Sequence, residues 1–400
     1  MQNLHNAVWL YLGKEARNAE EIHDFTEWCE RNQVQTVLVH LQLSGGHSDQ
    51  TKAQVQQIID ACSPRGIDVH GMVSSLQARS ADRSTLLFQD RSYYCVDAHG
   101  ISLWDEPIPG NLYVYDPRHP EVVQEISERC AQLIRDFPDL RGIHLDFVRY
   151  FQYESKLVID TKDGGFWIGK PIAGQPLKLG AADGSVTTYF VESESKKYND
   201  PPIGNQVTLV RSHRYCFCPD CLKDFERQSG ISIPETSNET AQISAWILDR
   251  HPKEWADYRS SVITNLVSSI RRAVRAVQKD KQLSAAVWYN APYGNELRGE
   301  PLDPESAYEA FGQAWWQWAA EDLVDFVCPM DYWLKPESYG QVVKDQVRKA
   351  DGNIPVYAGI LRGPEYEIDA ETFAHYQHSA AEAGARGICF FHYGSWKNLT

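Results

Sequence analysis

Eight short apolar runs, each spaced from the next by a longer stretch that carries amphipathic segments, constrain this chain more than any other feature. The runs are Val8–Leu12, Thr36–Leu43, Asp68–Leu76, Gly142–Tyr150, Leu283–Asn290, Asp325–Trp333, Ile354–Ile360 and Gly387–Trp396. Helical spacing marks Glu20–Arg31, where Ile22, Phe25 and Cys29 share one side, and Gln54–Cys62. It recurs at Pro120–Arg135, with proline suited to a first turn, and at Pro219–Gln228, Trp255–Val277, Tyr308–Asp322, Tyr339–Arg348 and Ala370–Ala383. Strands alternating with helices in this way predict an α/β fold, a parallel sheet closed into a (β/α)8 TIM barrel. A doubly wound open sheet ranks lower, because no strand–Gly-rich turn–helix fingerprint appears. Residues 1–400 form one barrel domain on this reading, and the rhythm breaks at 152–212. There the turn signals Lys162-Asp163-Gly164-Gly165 and Asp183-Gly184 separate alternating runs such as Val186 to Val191, which predicts a small β-rich insertion. It follows strand four, so it is expected at the C-terminal face, where barrel active sites sit.

Charge narrows the partners. The formal net charge is −15, which argues against a broad grip on nucleic acid or an anionic membrane. No apolar run reaches the roughly 18 residues of a membrane helix. The segment Met1 to Asn6 lacks a basic region followed by an apolar one, so a cytoplasmic location is expected. Of nine cysteines, Cys216, Cys218 and Cys221 are clustered, a pattern of metal ligands or reduced thiols and not of a disulfide framework.

Strand alternation then picks out chemistry. In Gly142-Ile143-His144-Leu145-Asp146-Phe147-Val148-Arg149-Tyr150, the apolar Ile143, Leu145 and Phe147 share one parity and should face the helices. His144 and Asp146 then face the barrel axis. A carboxylate there is costly unless paired or functional. Strand six brings a second, Asp331, beside Tyr332 and Trp333. Two strand-end carboxylates are what glycosidic cleavage needs, one protonating the leaving oxygen and the other attacking the anomeric carbon or activating water. Asp146 is expected as the nucleophile, kept ionised by Arg149 and by donors such as His144 on its face. Asp331 is expected as the acid/base, its pKa raised by burial among Met330, Tyr332 and Trp333. His40, Trp288, Asn290, Tyr332, Trp333 and His392 are candidate substrate contacts, as is Arg149. Trp167, Tyr189 and Arg211 are the candidate sugar contacts of the insertion, and Glu365, after strand seven, could replace either acid.

The strand-four segment resembles that of the glycoside-hydrolase-like barrels, and its placement is similar to the nucleophile strand of the α-galactosidase and α-amylase groups. In the α-galactosidase-like enzymes the acid/base comes from strand six, the position of Asp331 in Cys328-Pro329-Met330-Asp331-Tyr332. The resemblance implies a carbohydrate substrate and cleavage by two carboxylates; retention of configuration is expected if the carboxyl groups stand about 5 Å apart, and inversion if they stand about 6.5–9.5 Å apart. A narrower resemblance lies in Tyr215-Cys216-Phe217-Cys218-Pro219-Asp220-Cys221, similar to the C-x-C-x-x-C segment of the family-42 β-galactosidases. It implies a structural zinc held by Cys216, Cys218 and Cys221. Cys95 is the expected fourth ligand and His213 the runner-up. The alternatives are a barrel that binds glycan without cleaving it, and a zinc-dependent hydrolase.

Overall fold

The computed structural model describes residues 4–43, 47–79, 89–98, 100–105, 112–150, 156–160, 166–180, 186–192, 207–210, 215–235, 239–289, 306–363 and 367–398; from 156 to 210 only the backbone is described. Eight parallel strands form the barrel: β1 Asn6–Tyr11, β2 Val34–His40, β3 Asp68–Ser74, β4 Gly142–Asp146, β5 Gln282–Val287, β6 Phe326–Pro329, β7 Tyr357–Leu361 and β8 Gly387–Phe391. Their spatial order is β6-β5-β4-β3-β2-β1-β8-β7, so each strand lies beside its neighbours in sequence. One parallel bridge, Val327 to Val356, joins the two ends. The helices between strands cover the outside.

Alternation sorts the side chains into two cores. Trp9, Leu38, Met72, Ala286, Trp288, Phe326, Cys328, Met330 and Cys389 fill the barrel. Val8, Leu10, Val37, Val39, Ile143, Leu145, Val327 and Ile388 face the helices, meeting Phe25, Ile58, Ile126, Ile263 and their neighbours. Strands approach closely where β4 begins. A Cβ on Gly142 would lie 2.1 Å from the Gln282 carbonyl oxygen, which restricts that position to glycine.

Two expected elements are divided. The helix expected over Tyr308–Asp322 is two short helices, Ala307–Phe311 and Trp315–Ala320. Gly312, at φ 72°, ends the first in the left-handed conformation that glycine adopts most readily. Arg259 donates to the carbonyls of Glu309 and Ala310 at 2.9 Å and so satisfies the end of that helix. The expected last strand stops at Phe391 and is followed by a short helix, Tyr393–Trp396. A latch sits here. The buried Glu15 carboxylate accepts from Tyr11 N at 2.9 Å, Gly394 N at 2.6 Å and His392 Nδ1 at 2.7 Å, tying the end of β1 to the loop after β8.

Four strands, Lys156–Asp160, Phe166–Gly180, Val186–Glu192 and Val207–Val210, form an antiparallel sheet within the stretch that interrupts the barrel rhythm. Trp167, Tyr189, Arg211 and His213 lie outside the residues whose side chains are described.

Candidate active site and metal centre

A cavity of about 590 Å3 opens among the C-terminal ends of the barrel strands. Asp146, the last residue of β4, lines it together with Tyr11, His40, Ser74, Arg149, Trp288, Tyr332 and Phe391. β4 holds Asp146 beside Ser74 of β3, and Ser75 N donates to the Asp146 carbonyl at 2.8 Å. The next residue, Phe147, has φ 52°, a left-handed conformation that costs about 1–3 kcal/mol in a residue with a Cβ. That turn aims Phe147 N at Asp146 Oδ1, 2.8 Å away. Arg149 Nη1 lies 3.7 Å from the same oxygen. Among the described residues no hydrogen bond reaches Asp146 Oδ2.

Burial raises the Asp146 pKa, while the Arg149 charge and the Phe147 N–H pull it back. Arg149 is itself buried, and burial brings its pKa down to about 10, with Asp146 opposing, so the guanidinium stays charged at neutral pH. It lies over the Phe147 ring at 4.4 Å, a cation–π contact. His144 does not help as expected. It is fully buried, its Nδ1 is 2.9 Å from Ser284 Oγ, and burial lowers its pKa to about 3, so it is a neutral core group.

Asp331 is not brought to this cavity, which corrects the expected carboxylate pair. Phe326, Cys328 and Met330 point into the barrel, with Tyr332 packed on them. Val327 faces the helices and Asp331 shares its parity. The Asp331 Oδ1 accepts from Gln346 Nε2 of the helix Pro336–Ala350, and the Gly359 N–H also reaches the carboxylate. Its Oδ2 is buried without a hydrogen bond among the described residues. Burial pushes its pKa up to about 7, in the expected direction but away from the site. Between about pH 4, the unfolded value, and pH 7 the folded chain therefore keeps a proton that the unfolded chain has released. Stability should fall as pH rises through that window and level off above it. Asp331→Asn is expected to flatten this dependence and raise the melting temperature at pH 8 by on the order of 5 °C, with no gain at pH 4. Melting curves from pH 4 to 8 that run parallel for the two proteins would remove the assignment.

Of the other expected contacts, His40, Trp288 and Tyr332 line the cavity. Trp333, at φ 62°, stacks beside Trp288 with ring centroids 6.0 Å apart. His392 is engaged with Glu15 and lies behind Tyr11, ring centroids 5.1 Å apart. Asn290 and Glu365 lie outside the described residues. Tyr11, whose phenol is raised by burial and then by Asp146, was not singled out from sequence, since nothing in the β1 pattern sets it apart.

The cysteine cluster forms a second centre. Cys216, Cys218, Cys221 and Asp116 place one donor atom each within 4.8 Å of one another. Asp116 Oδ2 is 3.6, 3.3 and 3.5 Å from the three sulfurs. Asp116 thus occupies the corner expected for Cys95, whose thiol instead donates to the Tyr115 carbonyl at 3.3 Å. The donor set fits a tetrahedral divalent ion, whose ligand atoms stand about 3.8 Å apart at zinc–sulfur distances near ~2.3 Å. Val96 N donates to Cys216 Sγ at 3.2 Å and Cys221 N to Cys218 Sγ at 3.3 Å, contacts that favour thiolate sulfurs. Cys218 also caps the helix Pro219–Ser229. Asp116 stands alone, 100 residues before Cys216, with no spacing to signal it. None of the four lines the cavity.

The fold is a (β/α)8 barrel, and the solved structures it is similar to include glycoside hydrolases. It matches the β-galactosidase from Rahnella sp. R3 with a TM-score of 0.56 at 11% identity, over 98% of this chain and 50% of that one. The β-galactosidase from the haloarchaeon Halorubrum lacusprofundi gives 0.56 at 12%, over 97% and 52%. A GH42 β-galactosidase from G. stearothermophilus gives 0.55 at 9%, over 98% and 51%. The chain thus spans about half the length of these structures, and at such identities the likeness is one of fold. In sequence, the family described as Glycosyl hydrolase-like 10 matches residues 225–378, which hold β5 to β7 and stop short of both Asp146 and the cysteines. No curated protein sequence matches the chain.

Proposed function

We propose that this chain is a glycoside hydrolase whose reaction centres on Asp146. The observation that carries the reading is a buried strand-end carboxylate with Oδ1 held by Phe147 N–H beside Arg149, and Oδ2 free of hydrogen bonds among the described residues. Arg149 and the Phe147 N–H favour the anion, and Oδ2 attacks the anomeric carbon. The glycosidic C–O bond breaks as the leaving oxygen takes a proton. Water then releases the sugar from the enzyme with overall retention. Trp288, Tyr332, Phe391 and Tyr11 supply apolar walls for the sugar faces.

The proton donor is proposed to be Glu365, the candidate after β7, because Asp331 is turned to the helices. Glu365→Gln should slow hydrolysis of natural linkages by about 100-fold or more and spare aryl glycosides whose leaving group needs no proton. Equal losses on both substrates would sink that assignment.

A second reading has one observation in its favour. Among the described residues, Asp146 is the only carboxylate lining the cavity, as a barrel that binds glycan without cleaving it would have it. Binding without turnover, unchanged by Glu365→Gln, would select it. A zinc-dependent hydrolase is disfavoured, since the four metal donors lie away from the cavity. We propose a structural zinc held by Asp116, Cys216, Cys218 and Cys221, pinning the segment after the inserted sheet to the stretch between β3 and the helix Pro120–Asp136.

A further inference from the structure

Among the described residues, the lining of the cavity carries more cations than anions, in a chain whose net charge is −15. They are Lys14, Arg129 and Arg149 against Asp146 alone. Arg129 is spoken for: its Nε and Nη2 donate to Glu125 Oε1 at 2.8 and 2.5 Å. Lys14 is exposed at the rim and forms no ion pair among the described residues. Arg149 is the telling group. It is 4% exposed, and its Nε and Nη1 make no hydrogen bond, the approach of Nη1 to Asp146 being 3.7 Å. Guanidinium donors buried without acceptors are costly, more so than neutral groups, and such a cost is offset when a ligand supplies the oxygens.

We infer that the cavity takes a sugar bearing a carboxylate, a hexuronic acid, with Arg149 as the receptor of that carboxylate and Lys14 as the cation at the rim. A guanidinium donates more strongly to a carboxylate than to a hydroxyl, since charge-assisted bonds are about twice as strong as neutral ones. A neutral hexose would leave Nε and Nη1 of Arg149 without a charged acceptor at hydrogen-bond distance, and Lys14 without an ion pair among the described residues. The aromatic walls contact the apolar faces of either sugar, so they set affinity for the ring and not the preference between the two. The inference rests on the proposal that this cavity is the glycosidase site, and deepens it to a substrate class.

The test uses the whole chain and free monosaccharides, which are not turned over. Titration calorimetry should show glucuronate or galacturonate binding about 10-fold or more tightly than glucose or galactose, with the advantage shrinking as salt rises from about 50 to 300 mM. Arg149→Lys keeps the charge but loses the guanidinium donors, and should remove most of that advantage. If Arg149→Lys does not fold, Lys14→Ala, an exposed change, should still weaken uronate binding about threefold. A sulfated monosaccharide separates a carboxylate site from a general anion site, since equal affinity for the two anions would overturn the carboxylate assignment. Neutral sugars binding as tightly as uronates would overturn it outright. Aryl glycosides keep the two proposals apart. Hydrolysis of neutral glycosides alone overturns this inference and leaves the glycosidase standing. Tight uronate binding with no hydrolysis of any glycoside supports the ligand class and removes the glycosidase.

Discussion

Replacing Asp146 by Asn is expected to lower turnover by a factor of about 1,000 or more on both activated and natural glycosides, while the barrel still folds and still binds sugar. The physical reason lies in the two oxygens. Asparagine can keep the Oδ1 contact with Phe147 N–H, so the strained turn at Phe147 survives. Its amide nitrogen cannot attack an anomeric carbon. The variant also loses the negative partner of Arg149, whose buried charge is then opposed by no carboxylate among the described residues lining the cavity, so a modest fall in melting temperature is expected beside the loss of activity. Circular dichroism separates the two effects: a native spectrum with no turnover supports the assignment. Near-native turnover by Asp146→Asn on both substrate types would remove Asp146 as nucleophile, and Glu365 would be the next residue to exchange.

Removing the metal is expected to produce the largest change in stability. The purified protein should contain one zinc per chain under reducing, chelator-free conditions. A strong chelator, or Cys218→Ser, should cost about 4 kcal/mol or more, the range in which loss of a metal falls. Without a cation, three thiols and a carboxyl are packed together in the interior, and burial there pushes the Asp116 pKa up to about 8. Asp116→Ala should lower zinc content as far as Cys218→Ser does, whereas Cys95→Ser should leave the ion in place, because its sulfur is directed to the Tyr115 carbonyl. Metal analysis of the Asp116 and Cys95 variants decides between the two. Full zinc occupancy in Asp116→Ala together with loss in Cys95→Ser would restore the cysteine as ligand. Any surviving turnover should need the ion only for folding, since its ligands do not line the cavity.

The barrel was legible because its signal is repeated eight times, and burial of strand faces leaves a periodic trace in the chain. Asp146 was legible for the same reason: alternation along β4 places it with the lumen residues. Alternation along β6 places Asp331 with Val327, on the helix side, so the rule that found one carboxylate excludes the other as a partner. Its position at a strand end and its aromatic neighbours outweighed parity in the sequence reading. Gly312 marked the division of the helix after β5, but a break of three residues is hard to separate from a glycine tolerated inside a helix. Asp116 had no local signal at all. It joins the cysteines only through the tertiary fold, and isolated aspartates are common in loops. The same holds for Glu15, whose partners Gly394 and His392 lie at the far end of the chain.

The seam between β6 and β7 has a consequence for motion. The other adjacent strand pairs share a ladder, with at least two paired positions, whereas these two meet through the bridge of Val327 with Val356, the Val327 N to Pro355 O bond and, past the end of β6, the Gly359 N–H to the Asp331 carboxylate. A closed barrel opens first where its strands are joined by the fewest bonds. Amide hydrogens along this seam should exchange with solvent before those of β2 or β3, since local opening begins where fewest bonds must break together. The strand that leads to Tyr332 and Trp333 borders that seam, so opening there should move one wall of the cavity while Asp146, on the firmly paired β4, is expected to stay in place.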